Sequence, residues 1–312
     1  MTRALLYGLG VDADFDLHDA GDVPARIDVT VVTREPLREW PSLPDGEVRL
    51  HFETDGPWYT LVERADGSWH FRVHSVCDFH VSEDLRSVEL EMHDSAAPGM
   101  DGVMTTGTLL SLLLYLRGAP VFHGSAVEVD GEVVAFIGHS GQGKTTMATL
   151  FCADGASVVT DDVLVVDDSD GVPTVRRGSR ELRLRPGIEE LADRVAGASR
   201  RTSADARDVV APRHTTADAV PLKAIVIPAP DRGGSPLRFE RLGHRDATVA
   251  LMSFPRLMGW RHEPVLSSVL RVAAQTAARV PVVVAHVPWG PPFPDGLARA
   301  LSDFLAPAER VE

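Results

Sequence analysis

The run Gly138-His139-Ser140-Gly141-Gln142-Gly143-Lys144-Thr145 fits the pattern Gly-x-x-x-x-Gly-Lys-Ser/Thr in full, with an apolar run before it and a helix-forming stretch after it. That combination suits the binding of nucleotide phosphates. Gly138, Gly141 and Gly143 permit backbone conformations that aim several N–H groups at one phosphate, and the start of the following helix adds its positive dipole end. Lys144 is expected to reach the β- and γ-phosphates, and the Thr145 hydroxyl to help hold a magnesium ion. His139, Ser140, Gln142 and Thr146 complete the predicted nucleotide-binding segment as residues that display backbone amides. The expected ligands are ATP and Mg2+.

A phosphate cradle alone does not choose between a kinase and a hydrolase, so the carboxylates beyond it matter. Asp161 and Asp162 close an apolar strand after the helix, where a metal-side carboxylate would sit. One could bind magnesium through water while its neighbour accepts a proton from an attacking hydroxyl. An acidic strand-end turn is the alternative. Asp167-Asp168, beside Ser169-Asp170-Gly171, reads as a solvated turn. His123 precedes Gly124 just ahead of the next strand, within reach of the phosphoryl group or Asp161, although a lone histidine can also be structural. Arg183 and Arg185 alternate with Leu182 and Leu184, which puts both arginines on one side of a strand, either towards the ligand or towards solvent. Arg200, Arg201 and Arg207 fall in a polar loop that could close over substrate or simply be solvated.

These residues need elements to hold them. Asp130-Gly131 between two apolar runs predicts a hairpin over 125–137 that delivers the glycine-rich loop. A helix over 144–154, a strand at 157–160 and a second strand at 163–166 follow. Further along come a helix over 186–196, a loop over 197–218, a strand at 222–227, helices near 245–259 and 264–279, a strand over 280–287 and a last helix near 294–305. Upstream, short β-leaning runs at 27–32, 48–52, 58–62, 69–73 and 87–92 are separated by Pro41, Pro44, Asp45-Gly46, Asp55-Gly56-Pro57 and Asp66-Gly67. They read as antiparallel hairpins with alternating faces. The segment 96–102 reads as a linker and 104–117 as an apolar helix, which divides the chain into a β-rich domain at 1–100 and a catalytic domain at 101–312.

The chain has 312 residues, enough for two domains, with 44% hydrophobic and 24% charged residues, as in folded globular proteins. Its formal net charge of -14 opposes nonspecific binding to nucleic acid or to an anionic membrane. The only cysteines, Cys77 and Cys152, suggest neither a disulfide framework nor a zinc site. The first residues do not form a signal peptide, and the most apolar stretch, 109–116, is far shorter than the roughly 20 residues a membrane helix needs. Cytoplasmic placement, no nucleic acid and no membrane are the expectations. A homo-oligomer is compatible with the sequence.

The stretches Val121-Phe122-His123-Gly124-Ser125-Ala126, 131–146 and Val159-Thr160-Asp161-Asp162 together resemble the catalytic domain of the HPr kinase/phosphorylase family and its smaller relatives. A weaker likeness over 182–186 and 221–226 points to HPr-kinase-related proteins of ribosomal peptide biosynthesis, including the lasso peptide type. Residues 1–100 carry no matching stretch of the full HPr kinase. The resemblance implies an α/β fold, a phosphoenolpyruvate-carboxykinase-like P-loop kinase core with an N-terminal β-rich domain. It implies Asp161 as the base that activates an acceptor serine, Asp162 towards the metal with the two roles exchangeable, and His123 and Lys144 as catalytic residues. The implied activity is an ATP-dependent kinase acting on a serine of a protein or ribosomal peptide. A small-molecule kinase and a nucleotide-binding regulatory module remain as alternatives. The family's phosphorylase signature is only partly echoed by Glu181 and Arg183, so no reverse reaction is expected.

Overall fold

The computed structural model describes residues 1–17, 22–168, 171–185, 189–195, 198–290 and 292–306. It is a mixed α/β structure with two large sheets. The chain forms two compact units, the first made of Met1–Val121, Ser203–Ala206 and Pro255–Arg271, the second of Phe122–Thr202, Arg207–Phe254 and Val272–Glu312. Residues 101–121, expected to open the second domain, therefore count with the first unit. No helix among the described residues is long and apolar enough to cross a membrane.

The first unit is built on eight strands: β1 (Thr2–Leu6), β2 (Leu9–Ala13), β3 (Val29–Thr33), β4 (Glu47–Glu53), β5 (Pro57–Glu63), β6 (Trp69–Val73), β7 (Cys77–Val81) and β8 (Ser87–Met92). Their order is β1-β2-β3-β8-β7-β6-β5-β4. The meander β4 to β8 is antiparallel as expected, but β3 lies parallel to both β2 and β8. The strands β1, β2 and β7 were not anticipated. A short helix α1 (Met100–Val103), a π-helical turn (Met104–Leu109) and α2 (Leu110–Leu116) follow. Tyr115 on α2 is fully buried, and its hydroxyl donates to the Val121 carbonyl and accepts from the Arg256 N–H.

Strand alternation gives this sheet one apolar face, with Leu61, Phe71, Phe79 and Leu90 fully buried, as period-two patterning requires. The opposite face carries a row of cross-strand neighbours, His51, Thr60, Arg72, Asp78 and Glu91. Arg72 and Asp78 are 5% and 0% exposed. Their contact is bidentate, Nε to Oδ1 at 2.7 Å and Nη2 to Oδ2 at 2.5 Å, and Arg72 also donates to the Pro41 carbonyl beneath the Trp40 ring. Burial alone would raise the Asp78 pKa, but the hydrogen bonds and charges of Arg72 and His70 win and bring it down to about 2.

The second unit contains β9 (Val121–Val129), β10 (Glu132–Ile137), α3 (Lys144–Ala153), β11 (Ser157–Thr160), β12 (Val163–Asp167), β13 (Thr174–Arg176), β14 (Leu182–Leu184), α4 (Glu189–Asp193), β15 (Ser199–Thr202), β16 (Asp208–Ala211), β17 (Ala219–Asp231), β18 (Arg238–Arg241), α5 (His244–Met252), α6 (Glu263–Arg279, of which 272–279 belong here), β19 (Val282–Pro288) and α7 (Leu297–Leu305). The hairpin β9–β10 turns at Asp130 and Gly131, both at positive φ. Its strand β10 is also parallel to β17, which is parallel to β19. With β12 and β13 joining β9 to β17, the strands β10-β9-β12-β13-β17 close into a ring.

The run Val133 to Ile137 is apolar without a break because β10 is covered on both faces. Val134 and Phe136 pack in a core with Met147, Phe151 and Leu301, whereas Val133, Ala135 and Ile137 pack with Leu251 and Ala273. The predicted loop over 197–218 instead contains the hairpin β15–β16, which pairs with β14 as a three-stranded sheet. The helix expected over 186–196 is seen as α4, and its outer residues 186–188 and 196 lie outside the described residues.

Asp78→Asn is expected to destabilise the first unit by about 3–5 kcal/mol in urea denaturation, because it strands a buried guanidinium. The folded-state pKa of Asp78 lies below its ordinary 3.8, so its stabilisation, about 2 kcal/mol, is present above that value and is lost as the pH falls towards 2. The acid limb of the stability curve should flatten in the variant. An unchanged acid limb would remove the ion pair from the account of stability.

Candidate active site

The glycine-rich loop joins the carboxyl end of β10 to the start of α3. Gly141 (φ 82°) and Gly143 (φ 89°) adopt left-handed backbone, the conformation that turns successive N–H groups towards one side. Gln142 braces the loop from within: its Oε1 accepts from the His139 N–H at 2.7 Å and its Nε2 donates to the Pro228 carbonyl on β17 at 2.9 Å. Gly138 is tied to the same contact, since a Cβ there would meet Gln142 Oε1 at 2.6 Å. His139 lies edge-on to Phe254, 4.8 Å between centroids. Lys144 is only 6% exposed and its Nζ donates to the His139 carbonyl at 2.9 Å.

The acidic pair is set out by a tight turn between β11 and β12. The buried Thr160 hydroxyl donates to the Val163 carbonyl, the Val163 N–H donates to the Asp161 carbonyl, and Asp162 takes φ 70°. Aspartate tolerates that left-handed conformation better than most residues. Its consequence is that adjacent carboxylates meet different partners. Asp161, 4% exposed, accepts from the Thr145 hydroxyl at 3.0 Å, the Ser125 hydroxyl at 2.5 Å and the Arg183 N–H at 3.0 Å. Asp162 faces His123 Nε2 at 3.3 Å and Arg183 Nη2 at 3.2 Å. The sequence expectation put Asp162 with Thr145 on the metal side, with the two aspartates' roles exchangeable, and the structure bonds Asp161 to Thr145.

His123 lies inside β9 rather than ahead of it, two residues from the buried Ser125 on the same strand. Arg183 and Arg185 do share a side of β14, and Arg185 Nη2 donates to Ser140 Oγ at 2.8 Å. Both line a cleft with Ser140, Lys144, Thr145, Thr146 and the two aspartates, and Arg207 lines it too. Arg200 and Arg201 do not. They pair with Asp193 at 2.6 Å and Glu181 at 2.5 Å. The Asp167-Asp168 turn is not simply solvated, because Asp167 is paired with Arg176 and Asp168 with Arg279. Ser169 and Asp170 lie outside the described residues.

Two residues of the cleft escaped the sequence reading. Ser125 was one small residue in a strand, with no signal that its hydroxyl meets Asp161. Trp289, just past β19, also lines the cleft and abuts Gly143. The thiol of Cys152 on α3 is pushed up to about 12 by burial and then by the charge of Asp161, which rules it out as a thiolate nucleophile at neutral pH.

Carboxylate and hydroxyl oxygens 3.0 Å apart at Asp161 and Thr145 are hard donors of the kind that suit magnesium, which takes one or two carboxylates and completes its shell with water and phosphate oxygens. Among the described residues no group of three or more His, Cys, Asp or Glu side chains could hold a metal by itself. The residues present therefore fit a cation shared with a bound phosphate.

No family model matches the chain, and no curated protein matches it. Among solved structures, the Hpr(Ser) kinase/phosphatase from Coxiella burnetii is similar over 59% of this chain and 92% of its own, at 12% identity and a TM-score of 0.28. A likeness at that score establishes neither a shared fold nor a shared activity.

Proposed function

We infer that the second unit transfers the γ-phosphoryl group of ATP to a hydroxyl of a protein or peptide, with serine as the acceptor that the sequence resemblance implies and a ribosomal peptide as its narrowest form. The observation that carries this reading is the division of labour between neighbouring carboxylates. Asp161 is bonded to Thr145 at the start of α3, whereas Asp162 pairs with His123 and Arg183. A phosphate-binding loop without chemistry needs no second carboxylate held apart from the first.

In this reading the roles assigned from the sequence are exchanged. Asp161 and Thr145 hold magnesium, and Asp162 is the base. Magnesium, when bound, neutralises charge on the phosphate oxygens. Lys144 and the amides of residues 138–146 bind and orient the phosphates, with Lys144 Nζ leaving the His139 carbonyl for phosphate oxygen. The acceptor oxygen forms its bond to the γ-phosphorus as the bond to the β-bridging oxygen breaks, ADP leaves, and the hydroxyl proton passes to a carboxylate oxygen of Asp162. His123 and Arg183 fix that carboxylate in place, and Arg185 and Arg207 add positive charge at the cleft. The first unit is assigned the choice of acceptor.

Asp162→Asn should lower phosphoryl transfer by about 100-fold or more while isothermal titration finds nucleotide affinity within about threefold of wild type. Transfer is read with γ-labelled ATP and a library of serine-bearing peptides. Unchanged transfer in this variant would remove Asp162 as the base. Thr145→Ala should raise the magnesium concentration needed for half-maximal transfer, and Lys144→Ala should abolish labelling. Stoichiometric ATP binding with no phosphorylated product and no hydrolysis would favour the regulatory-module alternative.

A further inference from the structure

The phosphates account for one part of the cleft and leave its aromatic wall unused. Trp289 directly follows β19, and its N–H donates to the Asp231 carbonyl at the end of β17 at 2.7 Å. The indole is half-buried, packed edge-to-face against Phe293 with ring centroids 5.4 Å apart. Its six-membered ring lies against the backbone of Gly143. A Cβ built on that glycine would sit 2.2 Å from Cη2 and 2.6 Å from Cζ2, so only glycine lets the ring lie against the phosphate loop.

Strand order places this ring on the far side of the loop from the acidic pair. Ser125 and His123 stand on β9, and Asp161 and Asp162 follow β11, which pairs with β9. Those residues lie on one flank of β10. On its other flank come β17 and then β19, with Trp289 at the carboxyl end. β10 and the loop that leaves it stand between the two groups in strand order. A ligand with phosphates on the loop and its reacting end at Asp162 has Trp289 on the opposite flank of the loop to receive its other end.

Resting on the kinase reading above, we propose that Trp289 is the stacking surface for the base of the nucleotide. Base–aromatic stacking is tolerant of the base's edge groups. The close contact with Gly143 holds the ring in register with the phosphates, so its position is set before the ligand arrives.

The test compares ATP with inorganic tripolyphosphate, which has the phosphates and no base, by titrating each into the full chain with magnesium. Trp289→Ala should weaken ATP binding about 5- to 150-fold and leave tripolyphosphate within about twofold. Trp289→Phe should retain most of the ATP affinity and abolish the quenching of tryptophan fluorescence that ATP produces in the wild type. Equal loss of both ligands in Trp289→Ala would mean that the ring only props the loop, and no loss of ATP would mean that the base lies elsewhere. Either result overturns the stacking assignment and leaves the kinase reading standing. Binding of neither ligand by the wild-type chain would overturn the phosphate site itself and the stacking assignment with it.

Discussion

The carboxylate of Asp161 ties together three elements that are far apart in the chain. It accepts hydrogen bonds from Ser125 on β9, from Thr145 in the first turn of α3 and from the backbone of Arg183 on β14. A buried carboxylate is tolerable only when its lone pairs are occupied in this way. The contact therefore works in both directions. Three donors stabilise the charge, and the charge fixes where the glycine-rich loop, the central hairpin and the small three-stranded sheet stand relative to one another. Loss of any one donor would leave the others bonded but misplace the element that carried it.

The glycine-rich loop between a strand and a helix was legible in the sequence because that signal is local. Glycines at fixed spacing, a lysine and a hydroxyl residue specify a backbone path within a few residues, and the strand and helix on either side are specified by their own apolar runs. The partner of each aspartate was not legible. It turns on the sign of φ at Asp162, and sequence spacing carries no record of that sign when both residues are aspartate. His123 illustrates the same limit. It was expected ahead of the strand and near the phosphoryl group or Asp161, and it lies inside β9 against Asp162, because the apolar residues before it could belong equally to a connection or to a strand.

Elsewhere the misses have distinct causes. The hairpin β15–β16 was read as loop because β15 is exposed at every residue and its arginines and serine carry no alternation. It is held by pairing with β16 and by the ion pairs of Arg200 and Arg201. Tertiary context, not propensity, makes it a strand. In the first unit the alternation was legible, and the apolar face followed from it. What alternation could not reveal is that the polar face is itself partly covered. Arg72 and Asp78 are buried, and the strand pattern that reads as solvated includes a desolvated ion pair under Trp40.

The location of the cleft follows from the direction of the strands. β10, β17 and β19 are mutually parallel through β17, so their carboxyl ends open on one edge of the sheet, where parallel α/β sheets place their ligands. The glycine-rich loop leaves β10 there, Asp231 ends β17 there, and Trp289 leaves β19 there. The antiparallel members of the ring act differently. β9 runs against β10, so His123 and Ser125 near its start, not its end, lie beside the loop, with Gly124 opposite Ile137. β11, outside the ring, runs against β9 and so in the direction of β10, and the turn after Thr160 brings both aspartates to the same edge. One mixed sheet thus brings the glycine-rich loop and both aspartates to the edge where β10 and β11 end, and His123 and Ser125 to that edge from the start of β9.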